Sequence, residues 1–170
     1  IRVYTVEGTY LFSFNEIADG ENTTIGTTVG LEISPSDELL VSDRRHRKIL
    51  VFTLEGEFLR TIEPADELEA QVWAPIGMGY DADGNLYVTD VGRRDVHQVV
   101  VFDQNEVDVR RFGTFGQASE ISDLPGQFYF PNDVFVIGDE VYVSDSDNRR
   151  IQVFDTDGRF ERIIRTSGIP

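Results

Sequence analysis

Side chains able to do chemistry are sparse in this sequence and unevenly placed. Its two histidines, His46 and His97, fall in separate segments. No close His/Asp/Glu spacing gathers the several ligands a metal centre needs. Cysteine is absent, which excludes disulfides, thiolate nucleophiles and zinc–thiolate sites and leaves the redox compartment open. No Gly-x-Ser-x-Gly elbow presents a serine nucleophile. Gly113-Thr114-Phe115-Gly116 lacks the lysine of a phosphate loop and is expected to run from a strand into a loop. Eight of the 15 basic residues crowd into three clusters: Arg44, Arg45, Arg47 and Lys48; Arg93 and Arg94; Arg149 and Arg150. Guanidinium forks bind carboxylates bidentately, so these clusters are the candidate ligand contacts.

Composition narrows the possible partners. Fifteen Lys+Arg against 31 Asp+Glu give a formal charge of −16, which repels a phosphate backbone and disfavours non-specific nucleic-acid binding. The 40% apolar content supports a packed core. No run approaches the roughly 18 apolar residues of a membrane span. The chain begins at Ile1, and its one methionine is Met78.

The elements that position these residues follow from an internal repeat. Ile1-Arg2-Val3-Tyr4-Thr5-Val6-Glu7-Gly8 is echoed by Ile49–Gly56, by Ile151–Gly158 and, more loosely, by Val99–Glu106. The equivalent valines 3, 51, 101 and 153 are 48, 50 and 52 residues apart. Leu39–Asp43, Leu86–Asp90 and Val141–Asp145 precede the later copies, each ending in Val-Ser/Thr-Asp. Each unit reads as four short strands. Strand a is Gly30–Ile33, Gly77–Tyr80 or Asp133–Val136, strand b ends in the Asp signature, and strand c is the Ile-x-Val-Phe run. Strand d is Phe58–Ile62 or Phe160–Ile164. No sustained helical period appears. Runs such as Val99–Phe102 are apolar on both faces, so each sheet must be covered on both sides. The expected fold is all-β: a β-propeller of four-stranded antiparallel blades. About three and a half blades are present: a half blade at 1–14 (strands c and d) and blades at 27–63, 72–112 and 131–164.

The pattern Pro131-x-x-Val134, Val141-Tyr142-Val143-Ser144-Asp145-Ser146-x-Asn148-x-Arg150-Ile151-Gln152-Val153-Phe154 and Gly158 closely resembles the NHL repeat. The resemblance covers nearly the whole chain, although the middle unit has three extra residues between Val88 and Val101 and lacks the c–d glycine. Tyr87-Val88-Thr89-Asp90 is a weaker match to Tyr-Trp-Thr-Asp propellers. The resemblance implies a six-bladed ring, ligands on the face of the b–c and d–a loops, and frequent secreted or periplasmic placement. Some NHL-like propellers bind RNA; the −16 charge ranks that reading third. Others are metal-dependent amidating lyases, whose histidines this chain does not match. Pro131-Asn132-Asp133 also resembles the start of strand a in calcium-dependent lactonase propellers, implying a possible calcium site at Asn132 and Asp133; the same tripeptide equally suits a turn. Six blades would need on the order of 270 residues. The chain is therefore expected to be part of a longer propeller whose missing blades lie in the same polypeptide, with closure as a homo-oligomer as the alternative.

Repeat register sorts the charges. The basic clusters fall in b–c loops, while acids of the a–b and c–d turns predict a uniformly acidic opposite face. Two readings of the loops are open. In the first, Asp43, Asp90 and Asp145 accept hydrogen bonds within their own loops, and the arginines pair with acids of neighbouring blades. In the second, Arg44, Arg45, Arg47, Arg93, Arg94, Arg149 and Arg150 line a site for a protein, peptide or small anionic ligand. Trp73, aligned with Phe130, and Tyr87 and Tyr142 are expected to pack between blades. The functional expectation is a non-enzymatic binding or scaffold module, with a metal-dependent hydrolase or lyase (calcium or zinc, in the central channel) as the alternative.

Overall fold

A computed structural model describes residues 1–93, 96–116 and 124–165, with the Arg93 side chain also outside that description. Short strands rich in Val, Ile and Phe, separated by Gly- and Asp-bearing turns, build three four-stranded antiparallel sheets. The first comprises β3 (Thr28–Ile33), β4 (Leu39–Asp43), β5 (Lys48–Phe52) and β6 (Phe58–Ile62). The middle sheet comprises β7 (Pro75–Tyr80), β8 (Leu86–Arg93), β9 (Val96–Phe102) and β10 (Asp108–Phe112). The last comprises β13 (Pro131–Ile137), β14 (Glu140–Asp145), β15 (Arg150–Asp155) and β16 (Phe160–Ile164). Ahead of them, β1 (Arg2–Tyr4) and β2 (Tyr10–Ser13) form a two-stranded sheet. Each full sheet runs a–b–c–d in sequence order, the meander of a propeller blade.

Both faces of these sheets are apolar, and the blades bury them against one another. Leu40, Ile49, Val51 and Ile62 of the first blade pack against Met78, Val88 and Phe102 of the middle blade. Trp73, 1% exposed, closes that layer, its ring 5.7 Å from Phe102. Tyr87, Val99 and Val101 meet Val134, Val143 and Phe154 of the last blade in the next layer. Ile1, Phe14 and Ile17 cover Val41, Leu50 and Phe52 from the half-blade side.

Polar contacts fix the stacking. The Ser42 hydroxyl accepts from Gly30 N–H (2.7 Å) and donates to the Ile76 carbonyl of the next blade (2.8 Å). Strands a approach so closely that a Cβ at Gly30 would sit 2.3 Å from that same carbonyl oxygen. On the far rim, Arg60 of β6 grips Glu38 with both terminal nitrogens (2.8 and 2.7 Å) and reaches Glu106 of the middle blade (2.6 Å). Arg110 of β10 likewise donates to the Thr156 carbonyl of the last blade and lies 3.9 Å from Asp157. Tyr87 is buried between blades as expected, with its hydroxyl 3.4 Å from the Thr156 carbonyl. Tyr142 of the last blade is half-buried and bonded to Glu140 and Arg162.

A one-turn helix, α1 (Glu67–Ala70), capped by the Asp66 carboxylate, interrupts the connection from β6 to β7. Two expectations are corrected. Gly113–Gly116 is not simple loop: β11 (Thr114–Phe115) pairs in parallel with β12 (Gln127–Phe128). The partner of Trp73 by position is Phe128, wholly buried with its ring 5.5 Å from Phe154, whereas Phe130 is 39% exposed. Among the described residues, no helix is long and apolar enough to cross a membrane.

Trp73→Ala should lower the unfolding free energy by about 3–5 kcal/mol through loss of this interblade filling. Val6→Ala, on a side chain 99% exposed, should stay within about 0.5 kcal/mol. Urea denaturation of the two variants checks both values.

Candidate functional site on the loop face

Each b–c loop is organised by the aspartate that ends strand b. Asp43, fully buried, accepts from the backbone N–H of Gly26 (2.6 Å) and Thr27 (3.0 Å), which lead into strand a. It also accepts from Arg45 N–H (3.1 Å) and meets His46 Nδ1 at 2.8 Å. Burial opposes ionisation of Asp43, but bonds from Gly26 and His46 hold its carboxyl below the usual range. Asp90 accepts from Ala74 N–H (2.9 Å), Gly92 N–H (2.9 Å) and Gln98 Nε2 (3.0 Å). Asp145 accepts from Tyr129 N–H (2.7 Å), Arg150 Nε (2.7 Å) and Gln152 Nε2 (3.0 Å). The expected hydrogen bonding within each loop is thus present, and the same carboxylates also tie down the chain entering strand a.

The arginines divide accordingly. Arg150 is no ligand contact: its side chain is 1% exposed, paired with Asp145 and donating to the Gln127 carbonyl (2.7 Å). Arg44, Arg45, Arg47 and Arg149 are exposed and, among the described residues, form no ion pair. Arg47 and Arg149 occupy the same turn position with φ of 59° and 53°, which throws the chain back into strand c. Arg94 and the Arg93 side chain lie outside the described residues. Pairing with neighbouring blades falls instead to Arg60 and Arg110 of strands d. Because those arginines sit among the a–b and c–d turns, that face is not uniformly acidic.

Three blades converge on a cleft of about 280 Å³ at the loop face. Arg44 comes from the first blade, Ile76 and Val91 from the middle, and Phe130, Pro131, Asn132, Ser146 and Asp147 from the last. An inner cleft of about 430 Å³ adjoins it, lined by Val29, Gly30, Leu31, Gly77, Met78, Asn132, Asp133 and Ser144. Asn132 borders both and is exposed, as is Asp133. Burial and the Asp133 charge raise the Glu32 carboxyl above its ordinary value. Among the described residues, no group of three or more His, Cys, Asp or Glu side chains is placed to hold a metal ion.

His97 supports the cleft from below, a role with no signal in the repeat pattern. It is 2% exposed, and its Nδ1 accepts from the Phe130 N–H at 3.0 Å. The rings of Phe115, Tyr129 and Phe130 surround it at 4.9 to 6.0 Å. Phe130 has φ 52°, an unusual backbone for a bulky residue, and this bond helps to hold it at the cleft wall. Burial lowers the His97 pKa, outweighing the Phe128 carbonyl and the charges of Asp90, Asp145 and Asp147.

No protein-family model matches the sequence, and no curated protein does. Solved structures share the fold. A virginiamycin B lyase from Staphylococcus aureus, solved with quinupristin, superposes with TM-score 0.64 at 14% identity over 99% of this chain and 49% of its own. A streptogramin B lyase gives TM-score 0.63 at 14% identity over 98% of this chain and 47% of its own. The hydrazine synthase of Kuenenia stuttgartiensis gives 0.59 at 18% identity over 86% and 39%. The chain therefore has a β-propeller fold and spans about half the length of the solved relatives it matches, or less.

Asp145→Ala should cost about 3–5 kcal/mol in urea unfolding, since it leaves Arg150 buried without its counter-ion; Arg149→Ala should change stability by no more than about 0.5 kcal/mol. His97 makes a second prediction. Its folded pKa lies below the unfolded value of about 6.5. As pH falls through that value, the unfolded chain takes up a proton that the fold resists, and stability drops. Denaturation at pH 7.5 and 5.5 should show this loss in the parent chain and a smaller one in His97→Asn.

Proposed function

We propose that this chain is a binding module whose loop face recognises an anionic group, on a peptide, a protein surface or a small ligand. The supporting observation is the division of arginines: Arg60, Arg110, Arg111, Arg150 and Arg162 are engaged by acids, whereas Arg44, Arg45, Arg47 and Arg149 project from the loop face without ion pairs among the described residues. On a chain of net charge −16, such exposed cations form a local exception that attracts an anion against the overall field. Arg44 supplies the positive charge of the cleft, whose lining also includes the carboxylate of Asp147; Asn132 and Ser146 offer neutral hydrogen bonds, and Ile76 and Phe130 give an apolar wall. Loops clamped by buried aspartates are already ordered, which lowers the entropy cost of binding. Membership of an NHL-like group and a ring larger than these blades are part of the same reading.

A second reading is a metal-dependent lyase or hydrolase using the inner cleft. Solved lyases of the same fold support it, as does the convergence of Asn132 and Asp133 on that cleft with Glu32 electrostatically coupled to Asp133. Calcium titration by calorimetry separates the readings: heat of binding abolished by Asp133→Ala favours the enzyme.

The binding reading predicts that a fluorescein-labelled hexaglutamate peptide at low salt raises its anisotropy on titration with the chain. Arg44→Glu/Arg45→Glu/Arg47→Glu should weaken that binding by at least about ten-fold with an unchanged circular dichroism spectrum. Equal affinity for parent and variant contradicts the proposal.

A further inference from the structure

The cleft of about 280 Å³ carries two charges of opposite sign that do not meet. Arg44 enters its lining from the b–c loop of the first blade and Asp147 from that of the last, with Ile76 of the middle blade in the same wall. Among the described residues, neither charged side chain forms an ion pair, with the other or with a third group. Both backbones are pinned. Arg44 N–H donates to the Thr27 carbonyl (2.9 Å), and Asp147 N–H donates to the Tyr129 carbonyl (3.1 Å). The buried Asp43 and Asp145 clamp the same two loops through Arg45 N–H (3.1 Å) and Asn148 Nδ2 (2.9 Å). Neutral groups in the lining are also unengaged: the Asn132 amide and the Ser146 hydroxyl have no hydrogen-bond partner among the described residues. Phe130 faces this cleft with its N–H bonded to the buried His97 (3.0 Å).

We propose that this cleft selects a small zwitterion, an ammonium and a carboxylate on an apolar body, as in an α-amino acid with an apolar side chain or a dipeptide of such residues. The inference rests on the proposed function of the loop face and narrows it. A simple anion is attracted by Arg44 but opposed by Asp147 in the same lining, and a simple cation meets the reverse balance. A ligand bearing both charges satisfies each, its carboxylate on the guanidinium fork and its ammonium on the Asp147 carboxylate. Because neither residue is already paired, the ligand breaks no internal salt bridge. The Asn132 amide and Ser146 hydroxyl each donate and accept, which suits the remaining protons and lone pairs of such a ligand. Ile76 and Phe130 take its apolar side chain. A volume of about 280 Å³ lies just below the roughly 300–1,000 Å³ of sites for drug-sized ligands, which matches one or two residues and not a long peptide. Arg45, Arg47 and Arg149 stand outside the lining, so they attract anions in general and do not contribute to this choice.

Isothermal titration calorimetry of the intact chain with L-phenylalanine and with L-alanyl-L-phenylalanine tests this, the tighter of the two identifying the source of the zwitterion. N-acetyl-L-phenylalanine lacks the ammonium and L-phenylalaninamide lacks the carboxylate; each should bind at least about ten-fold more weakly than the tighter zwitterion. Asp147→Asn should remove the preference over the acetylated form, and Arg44→Gln the preference over the amide. Both side chains are exposed, so the circular dichroism spectrum should not change. Arg44→Asp/Asp147→Arg, which exchanges the two charges, should recover zwitterion binding that either reversal alone abolishes. Equal affinity for the zwitterion and its acetylated form, or binding of neither zwitterion, overturns the inference. In that event, hexaglutamate binding that depends on Arg44, Arg45 and Arg47 would leave the broader anion-binding function standing, and its absence would remove both.

Discussion

No sheet in this chain can satisfy its apolar surface alone. A strand such as β9, Val-His-Gln-Val-Val-Val-Phe, buries nearly every side chain, half against the blade before and half against the blade after. Burial is worth roughly 25 cal/mol per Å² of apolar surface, so stacking supplies what a single four-stranded sheet lacks. The rest follows from that demand. Glycines at the start of strand a permit the close approach of neighbouring inner strands. Hydroxyls of the Ser/Thr-Asp signature bridge or brace those strands, as Ser42 does to Ile76 and Thr89 does to Gly77. Arginines of strands d lock the outer rim.

Stacking fixes the blades but leaves the loops to be ordered separately, and the aspartate at the end of strand b performs that task. One buried carboxylate collects N–H donors from its own b–c turn and from the segment entering strand a. The position three residues later supplies His46 or Asn148 to the same carboxylate. The position five residues later supplies a cation that turns inward, Arg150 on Asp145 or Lys48 on Asp19 and Glu21. Arg44, Arg45 and Arg47 at positions one, two and four of the first loop, and Arg149 at position four of the last, are exposed to solvent. An ordered scaffold with outward cations at set positions is what the binding proposal rests on.

Much of this architecture was legible in the residues. Strand d is found at Phe58–Ile62 and Phe160–Ile164 as read, and strand a begins two residues earlier than read because the segment clamped by the aspartate is already extended. Internal bonding of Asp43 and Asp145 followed from their recurrence. The fate of the arginines did not, because adjacent residues in one turn have opposite environments. Arg149 and Arg150 differ in whether the side chain returns to the carboxylate, a matter of backbone φ rather than composition. Pairing of Arg60 with Glu106 depends on register between blades, which a linear repeat does not display. The alignment of Trp73 with Phe130 failed because the parallel β11–β12 pairing brings Phe128 into the layer. His97 gave no signal at all: its aromatic surroundings come from the segment after strand d and the approach to β13.

The central claim is that buried aspartates lock one set of loop-face cations and leave another set free. Phenylglyoxal modification of the native chain, resolved by residue with mass spectrometry, tests it most directly. Rapid modification of Arg44, Arg45, Arg47 and Arg149, with Arg150 protected until the chain is unfolded, is the predicted result. Reaction of Arg150 at the rate of Arg149 in the folded chain would contradict it.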